Sequence, residues 1–197
     1  TEEMTWFDRP TEACNSVGTQ SWGYRKDEDY YSIPFLINSI DEYMAKGAHY
    51  LLNLGPAEDG GIPNAASVIL KKIGEWYKKV REAFSDTQPC SELTTNRDVL
   101  LTRRGKVLYV HLKNPVKSES VLLPPLSELP VEALLLNTGD ILECSNDVLP
   151  VFWQNNAQVL RIRHLPREAI TSGETLVIKL RFQQPVIAKA PEPLEFE

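Results

Sequence analysis

The residues of this chain with chemistry to offer are crowded near its start. Asp8, Glu12, Cys14, Trp22, Tyr24 and Arg25 come first, and Asn53 and Asp59 then flank a Gly-Pro turn. Carboxylates give and take protons, tyrosine and arginine supply hydrogen bonds, and an indole beside a glycine packs against an apolar ligand face. Each residue also has an ordinary structural use. Asp8 reads as a loop aspartate before Pro10, Glu12 as a carboxylate paired with an arginine, and a single Trp as core. Asn53 reads as an amide that satisfies loop backbone groups. Asp59, ahead of Gly60-Gly61, reads as an acceptor of backbone N–H bonds that shapes the turn. Metal chemistry is not written here. Cys14, Cys90 and Cys144 lie far apart without a CxxC pair, and His49, His111 and His164 are equally scattered. Neither a zinc knuckle nor a dense disulfide framework is expected.

The whole chain has 197 residues, 42% of them hydrophobic and 24% charged, with a formal net charge of -6. That apolar content is too high for a disordered chain. No apolar run reaches the roughly 18–20 residues of a membrane helix. The acidic balance argues against nucleic acid as a partner, since such proteins usually carry a basic face. The start, Thr-Glu-Glu-Met, has neither an initiator Met nor the basic-then-apolar opening of a signal peptide.

The first half predicts helices around one short strand. Ser32 is placed to cap a helix with Pro34 in its first turn, where a missing N–H costs nothing. Leu36, Ile37, Ile40, Tyr43 and Met44 recur at helical spacing, and Gly47 supplies the left-handed stop. The nearly continuous apolar run His49–Leu54 predicts a strand buried on both faces, as in a parallel barrel or α/β sheet. Gly55-Pro56 and Asp59-Gly60-Gly61 turn the chain. Pro63 then opens a second helix with an apolar stripe of Val68, Ile69, Ile73, Trp76, Tyr77, Val80 and Phe84.

From about Ser85 the pattern changes to short β-type runs. These are 99–102, 106–113, 120–123, 131–137, 148–153, 158–163 and 175–182, with hairpin turns at Arg104-Gly105 and Asn137–Asp140. Leu160, Ile162 and His164 alternate with Arg161 and Arg163, as in a sheet with one wet face. Their spacing predicts an antiparallel sandwich of seven or eight strands, with Trp153 in its packing. The expected organisation is therefore an α/β barrel remnant of helix–strand–helix over 1–85, an all-β antiparallel sandwich over 86–183 and a Pro-rich tail over 184–197. A barrel needs on the order of 200 residues, so a single parallel-type strand in the first 85 reads as the closing segment of a larger domain.

Thr11-Glu12-Ala13-Cys14, Ser21-Trp22-Gly23-Tyr24-Arg25, Leu51–Pro63 and Gly74-Glu75-Trp76 together resemble the end of the catalytic domain of family 29 α-L-fucosidases. Those enzymes read W-E-x-C, S-W-G-Y, a helix, L-L-L-N-I-G-P-x-x-D-G-x-I-P and G-E-W-L in this order. The resemblance covers roughly residues 11–84, with Thr11 standing where the family has Trp. It implies a retaining glycoside hydrolase that releases terminal fucose without metal or organic cofactor. Its partners would be a fucosylated glycan and the remainder of the catalytic domain, with a homo-oligomer compatible. The compartment is left open among periplasm, secretion, lysosome and cytosol.

Retaining hydrolysis takes two carboxyl groups about 5 Å apart, one a nucleophile and one an acid/base. By the resemblance, the family's nucleophile and sugar-gripping histidines lie on earlier strands, outside this chain. Trp6-Phe7-Asp8 is similar to the family's W-F-D-G nucleophile motif, but Arg9 replaces the glycine and Glu12 follows too soon for Asp8 to be that residue. The resemblance instead makes Glu12 the catalytic candidate, as acid/base or as a carboxylate near the site. It makes Trp22 the apolar wall against the sugar, with Tyr24 and Arg25 as further substrate-binding candidates. The alternatives are a non-catalytic carbohydrate-binding or interaction sandwich, and a diverged inactive relative.

Overall fold

The computed structural model describes residues 6–113, 115–151 and 154–187, with side chains described outside 149–157. Trp153 and residues 188–197 of the expected tail lie outside the described residues. The chain order is β1 (Glu12–Ser16), α1 (Ile33–Ala45), β2 (His49–Asn53), α2 (Asn64–Val80), then β3 (Gln88–Pro89), β4 (Val99–Arg104), β5 (Val107–Leu112), β6 (Val121–Leu123), β7 (Glu132–Leu135), β8 (Glu143–Val151), β9 (Gln154–Arg163), α3 (Arg167–Thr171) and β10 (Leu176–Arg181).

Helix α1 begins where its sequence says it should. The Ser32 side chain accepts from the Phe35 N–H, proline stands in the first turn, and Gly47 follows the last turn at φ +90°. Leu36, Ile37 and Ile40 are buried. In α2 the buried stripe is Ala66, Ile69, Ile73, Trp76 and Val80. Val68, expected in that stripe, lies on the other side and is 56% exposed. It falls about 100° from Ile69 on the helix wheel, one step too far round.

The second half is an antiparallel sandwich. One sheet runs β3-β4-β5-β10-β7 and the other β6-β9-β8. Strands β4 and β5 are buried almost throughout, because the larger sheet is covered on both faces. Leu101, Leu108, Val110, Leu112, Ile178 and Leu180 face the smaller sheet, with Leu123, Leu160 and Ile162 opposite. The alternate positions Tyr109 and Val177 join the cluster of Leu36, Ile37, Ile69, Ile73 and Trp76 from the helices. Alternation along each strand thus serves two cores. His164 departs from the expected alternation. It has φ +66° and is exposed, so the strand ends at Arg163 and Leu165 turns inward.

Polar bonds run along the seam between helices and sandwich. Trp76 Nε1 donates to the Thr175 carbonyl at 2.9 Å, Thr102 Oγ1 to the Ala83 carbonyl at 2.9 Å, and Lys179 Nζ to Glu82 at 2.8 Å. The first residues of the expected tail dock on the sandwich itself, where Val186 joins the core between the sheets. Val186 is buried, and Ile187 exchanges bonds with Ser127 through the Ser127 N–H and hydroxyl.

The first half contains two strands where one was expected. Glu12–Ser16 pairs in parallel with His49–Asn53, in the register Glu12 to His49 and Ser16 to Asn53. The run Glu-Ala-Cys-Asn-Ser has little β propensity of its own. Its extended form comes from the ladder with β2. The β2 strand is not buried on both faces. Tyr50 and Leu52 pack with the helices, while His49 and Leu51 on the opposite face are exposed, Leu51 by 41%.

Candidate functional site

The two parallel strands sort the candidate residues by face and by end. Alternation places Ala13 and Asn15 with Tyr50 and Leu52 on the covered face. There Asn15 Nδ2 donates to Tyr50 Oη at 2.8 Å, and Ser39 of α1 lies 2.9 Å from the same hydroxyl. Glu12, Cys14 and Ser16, with His49, Leu51 and Asn53, occupy the open face. Glu12 stands opposite His49 at the amino end of the strands. The carboxyl end carries Ser16 and Asn53, four residues or about 13 Å of strand further on.

Glu12 is exposed and accepts a hydrogen bond from Cys14 Sγ at 3.6 Å. Partial desolvation, then the hydrogen bond to and charge of Glu12, raises the Cys14 pKa above the ordinary thiol value. No arginine bond to Glu12 occurs among the described residues.

Beyond β1 the chain folds back on itself as an irregular hairpin. Thr19 N–H donates to the Asp29 carbonyl at 2.8 Å, Tyr31 N–H to the Val17 carbonyl at 3.0 Å, and Gly18 bridges Tyr30. Glu28 lies over Gly18, where a Cβ would sit 2.7 Å from its carboxyl carbon, and its Oε1 accepts the Gln20 N–H at 2.9 Å. Glu28 was not among the candidates from sequence. Its signal was Gly18, which makes room for the carboxylate.

The tip of this hairpin holds Trp22, Tyr24 and Arg25, and β2 fixes it. Asn53 Nδ2 donates to the Trp22 carbonyl at 2.6 Å. The Asn53 carbonyl accepts from the Val17 N–H at 2.9 Å and from Ser16 Oγ at 3.4 Å. Gly55 lies flat against the tip, where a Cβ would fall 2.3 Å from the Tyr24 nitrogen. Only glycine permits that approach. Asp59 Oδ1 accepts the Gly61 N–H at 2.9 Å, the turn-shaping bond expected of it.

Trp22 is 54% exposed and lines an open concavity of about 250 Å3 with Cys14, Asn15, Gln20 and Tyr31, among others. Tyr24 and Arg25 line a separate narrow crevice with Glu28, Tyr30 and Gly55. The structure therefore brings Trp22 to the carboxyl end of the strands, sets Tyr24 and Arg25 beside it, and leaves Glu12 at the other end. Asp8 precedes β1 in the loop expected of it. Trp76 is fully buried. A larger groove of about 430 Å3 lies on the sandwich between Val116–Glu119 and Arg167–Thr171. Its Glu119 and Arg167 pair with each other, and it offers no aromatic platform. Among the described residues no group of His, Cys, Asp and Glu is arranged to hold a metal, and no helix is long and apolar enough to cross a membrane.

Residues 2–82 match the profile of the family described as Alpha-L-fucosidase. Over 168 residues, 81% of the chain, the sequence is 29% identical to plasma alpha-L-fucosidase of Rattus norvegicus, of which it covers 35%. Over 108 residues, 53% of the chain, it is 31% identical to tissue alpha-L-fucosidase of Bos taurus, of which it covers 23%. The crystal structure of Thermotoga maritima alpha-fucosidase in complex with fucose superposes with a TM-score of 0.66 at 23% identity, over 89% of this chain and 40% of that one. At that identity the likeness is one of fold. The chain spans between 18% and 37% of the length of the curated relatives it matches.

Proposed function

Because residues 2–82 match the α-L-fucosidase family profile, we propose that this is the C-terminal part of a retaining α-L-fucosidase, a glycoside hydrolase releasing terminal L-fucose from glycoconjugates. In this reading residues 1–85 close a (β/α) barrel, and 86–183 form a sandwich that braces it. Earlier barrel strands, outside these 197 residues, supply the nucleophile.

The observation that carries the reading is the half-covered sheet. Parallel strands are normally covered on both faces. Here β1 and β2 are backed by α1 on one face, while the other presents Glu12, Cys14, His49, Leu51 and Asn53 to solvent. Further strands that curl the sheet over would make that face a barrel interior. The carboxyl end, where Trp22 stands, is where barrel enzymes keep their sites. Trp22 then forms the wall against the C–H face and methyl of fucose, while Tyr24 and Arg25 line the separate crevice beside it. No cofactor enters the reaction.

Two roles remain for Glu12. As acid/base it would protonate the leaving oxygen, about 5 Å from the nucleophile. Its place at the amino end of β1 favours the second role, a carboxylate in the barrel interior that orders the layers beneath the site.

The test is turnover of an aryl α-L-fucoside. The purified 197-residue chain should show none, and the full-length polypeptide should show it. Activity of the isolated chain, or an inactive full-length protein with intact fold, would overturn the proposal.

A further inference from the structure

We infer that Asn53 is a positioning residue that sets Trp22 against the sugar, an inference that rests on the proposed reading of Trp22 as the fucose wall. Three segments meet at this asparagine. Its amide holds the Trp22 carbonyl at 2.6 Å, and its own carbonyl accepts from the Val17 N–H and from Ser16 Oγ. It therefore ties the last residue of β2, the exit of β1 and the hairpin tip to one point.

The indole has little else to hold it. It is 54% exposed, so burial does not fix its place, and the backbone beneath it must. Gly55 bars that backbone from moving toward β2, since Gly23 and Tyr24 already lie at contact with it. The Asn53 amide bars it from moving away. A flat wall gains from an apolar sugar face only while it stays within van der Waals distance, and about 1 Å of radial gap forfeits much of the attraction. The bond to a backbone carbonyl thus acts on affinity through the indole, without touching the sugar.

In the full-length enzyme, Asn53→Ala should raise KM for an aryl α-L-fucoside by about three- to tenfold, the range of a lost hydrogen bond, with kcat within about twofold. Asn53→Asp, isosteric but without the amide donor, should match or exceed it. In a Trp22→Ala background the same Asn53→Ala change should add less than about twofold, because the wall it positions is gone. In the 197-residue chain, Asn53→Ala should speed tryptic cleavage at Arg25-Lys26 while leaving the thermal midpoint of the sandwich in place. Equal KM effects with and without Trp22, or unchanged KM in both Asn53 variants, would overturn the inference and leave the Trp22 reading standing. Unchanged KM in Trp22→Ala alone would overturn both.

Discussion

His111 Nδ1 lies 2.8 Å from Asp41 Oδ1, a contact that joins β5 of the sandwich to α1 of the first half with both side chains withdrawn from solvent. The other ring nitrogen lies 3.0 Å from Thr102 Oγ1, and that hydroxyl spends its one proton on the Ala83 carbonyl. The chain Asp41–His111–Thr102–Ala83 ties together α1, β5, β4 and the end of the α2 segment, with the Phe84 ring 5.2 Å from the imidazole. Burial leaves such a network no water to fall back on.

Removing one partner strands the other. Asp41→Ala and His111→Ala should each destabilise the chain by about 1–3 kcal/mol, the cost of leaving a buried hydrogen-bonding partner unsatisfied. The double change Asp41→Leu with His111→Leu should recover most of that loss, since neither polar group is left behind. Urea unfolding followed through the fluorescence of the buried Trp76 measures all of these. Single variants within about 0.5 kcal/mol of the parent would contradict the network's role.

The sandwich was legible because its strands carry the signal in their own composition. Val107–Leu112 and Leu176–Arg181 are runs of branched and aromatic residues bounded by turns, and Gly105 and Gly139 sit at positive φ in the turns expected of them. Helix α1 was legible from Ser32, Pro34 and Gly47. Strand β1 was not, because Glu-Ala-Cys-Asn-Ser becomes extended through β2, 37 residues away in the register Glu12 to His49. The two-sided burial expected of β2 was a statement about a whole sheet. The periodicity of one strand does not say which chain segment supplies the cover. At the site, the types of Glu12 and Trp22 were plain, but their separation to opposite ends of one strand pair follows from chain direction and register, which need both strands in place.

Burial also fixes how the chain responds to alkali. Desolvation first, and the charge of Glu92 second, pushes the Cys90 thiol up to about 12, and Tyr109 is raised to about 12 by burial and Glu82. In the unfolded chain these groups ionise near pH 9 and 10. Above pH 9 the native state therefore holds more protons than the unfolded one, and stability must fall as pH rises. The decline should run from about pH 9 to 12. Denaturation midpoints across that window check it, and Tyr109→Phe should make the slope shallower. A flat profile to pH 11 would contradict the assignment.

The three cysteines should separate by reactivity. Cys90 is buried and Cys144 is pushed up to about 11, chiefly by burial, while Cys14 is exposed. Iodoacetamide at pH 8 should label one thiol per folded chain, at Cys14, and three on unfolding. Glu12 raises the Cys14 pKa through its hydrogen bond and charge. Glu12→Gln should then lower that pKa, enlarge the thiolate fraction and speed alkylation. Slower or unchanged labelling in Glu12→Gln would mean that the Cys14–Glu12 contact does not persist in solution.

Glu12 itself is decided by leaving-group dependence in the full-length enzyme. An acid/base lost through Glu12→Gln should lower turnover by about 10²–10⁴-fold for substrates with poor leaving groups. The loss should shrink for aryl fucosides whose phenolate leaves without help, because protonation then contributes little to the transition state. A carboxylate that only orders the barrel interior behaves otherwise. Its removal should cost a similar factor for every leaving group and should lower the thermal midpoint as well. The position of Glu12 at the amino end of β1, with Trp22 at the carboxyl end, leads to the second pattern. Turnover of a series of fucosides spanning several units of leaving-group pKa separates the two. A steep dependence appearing only in Glu12→Gln would return the acid/base role to this residue.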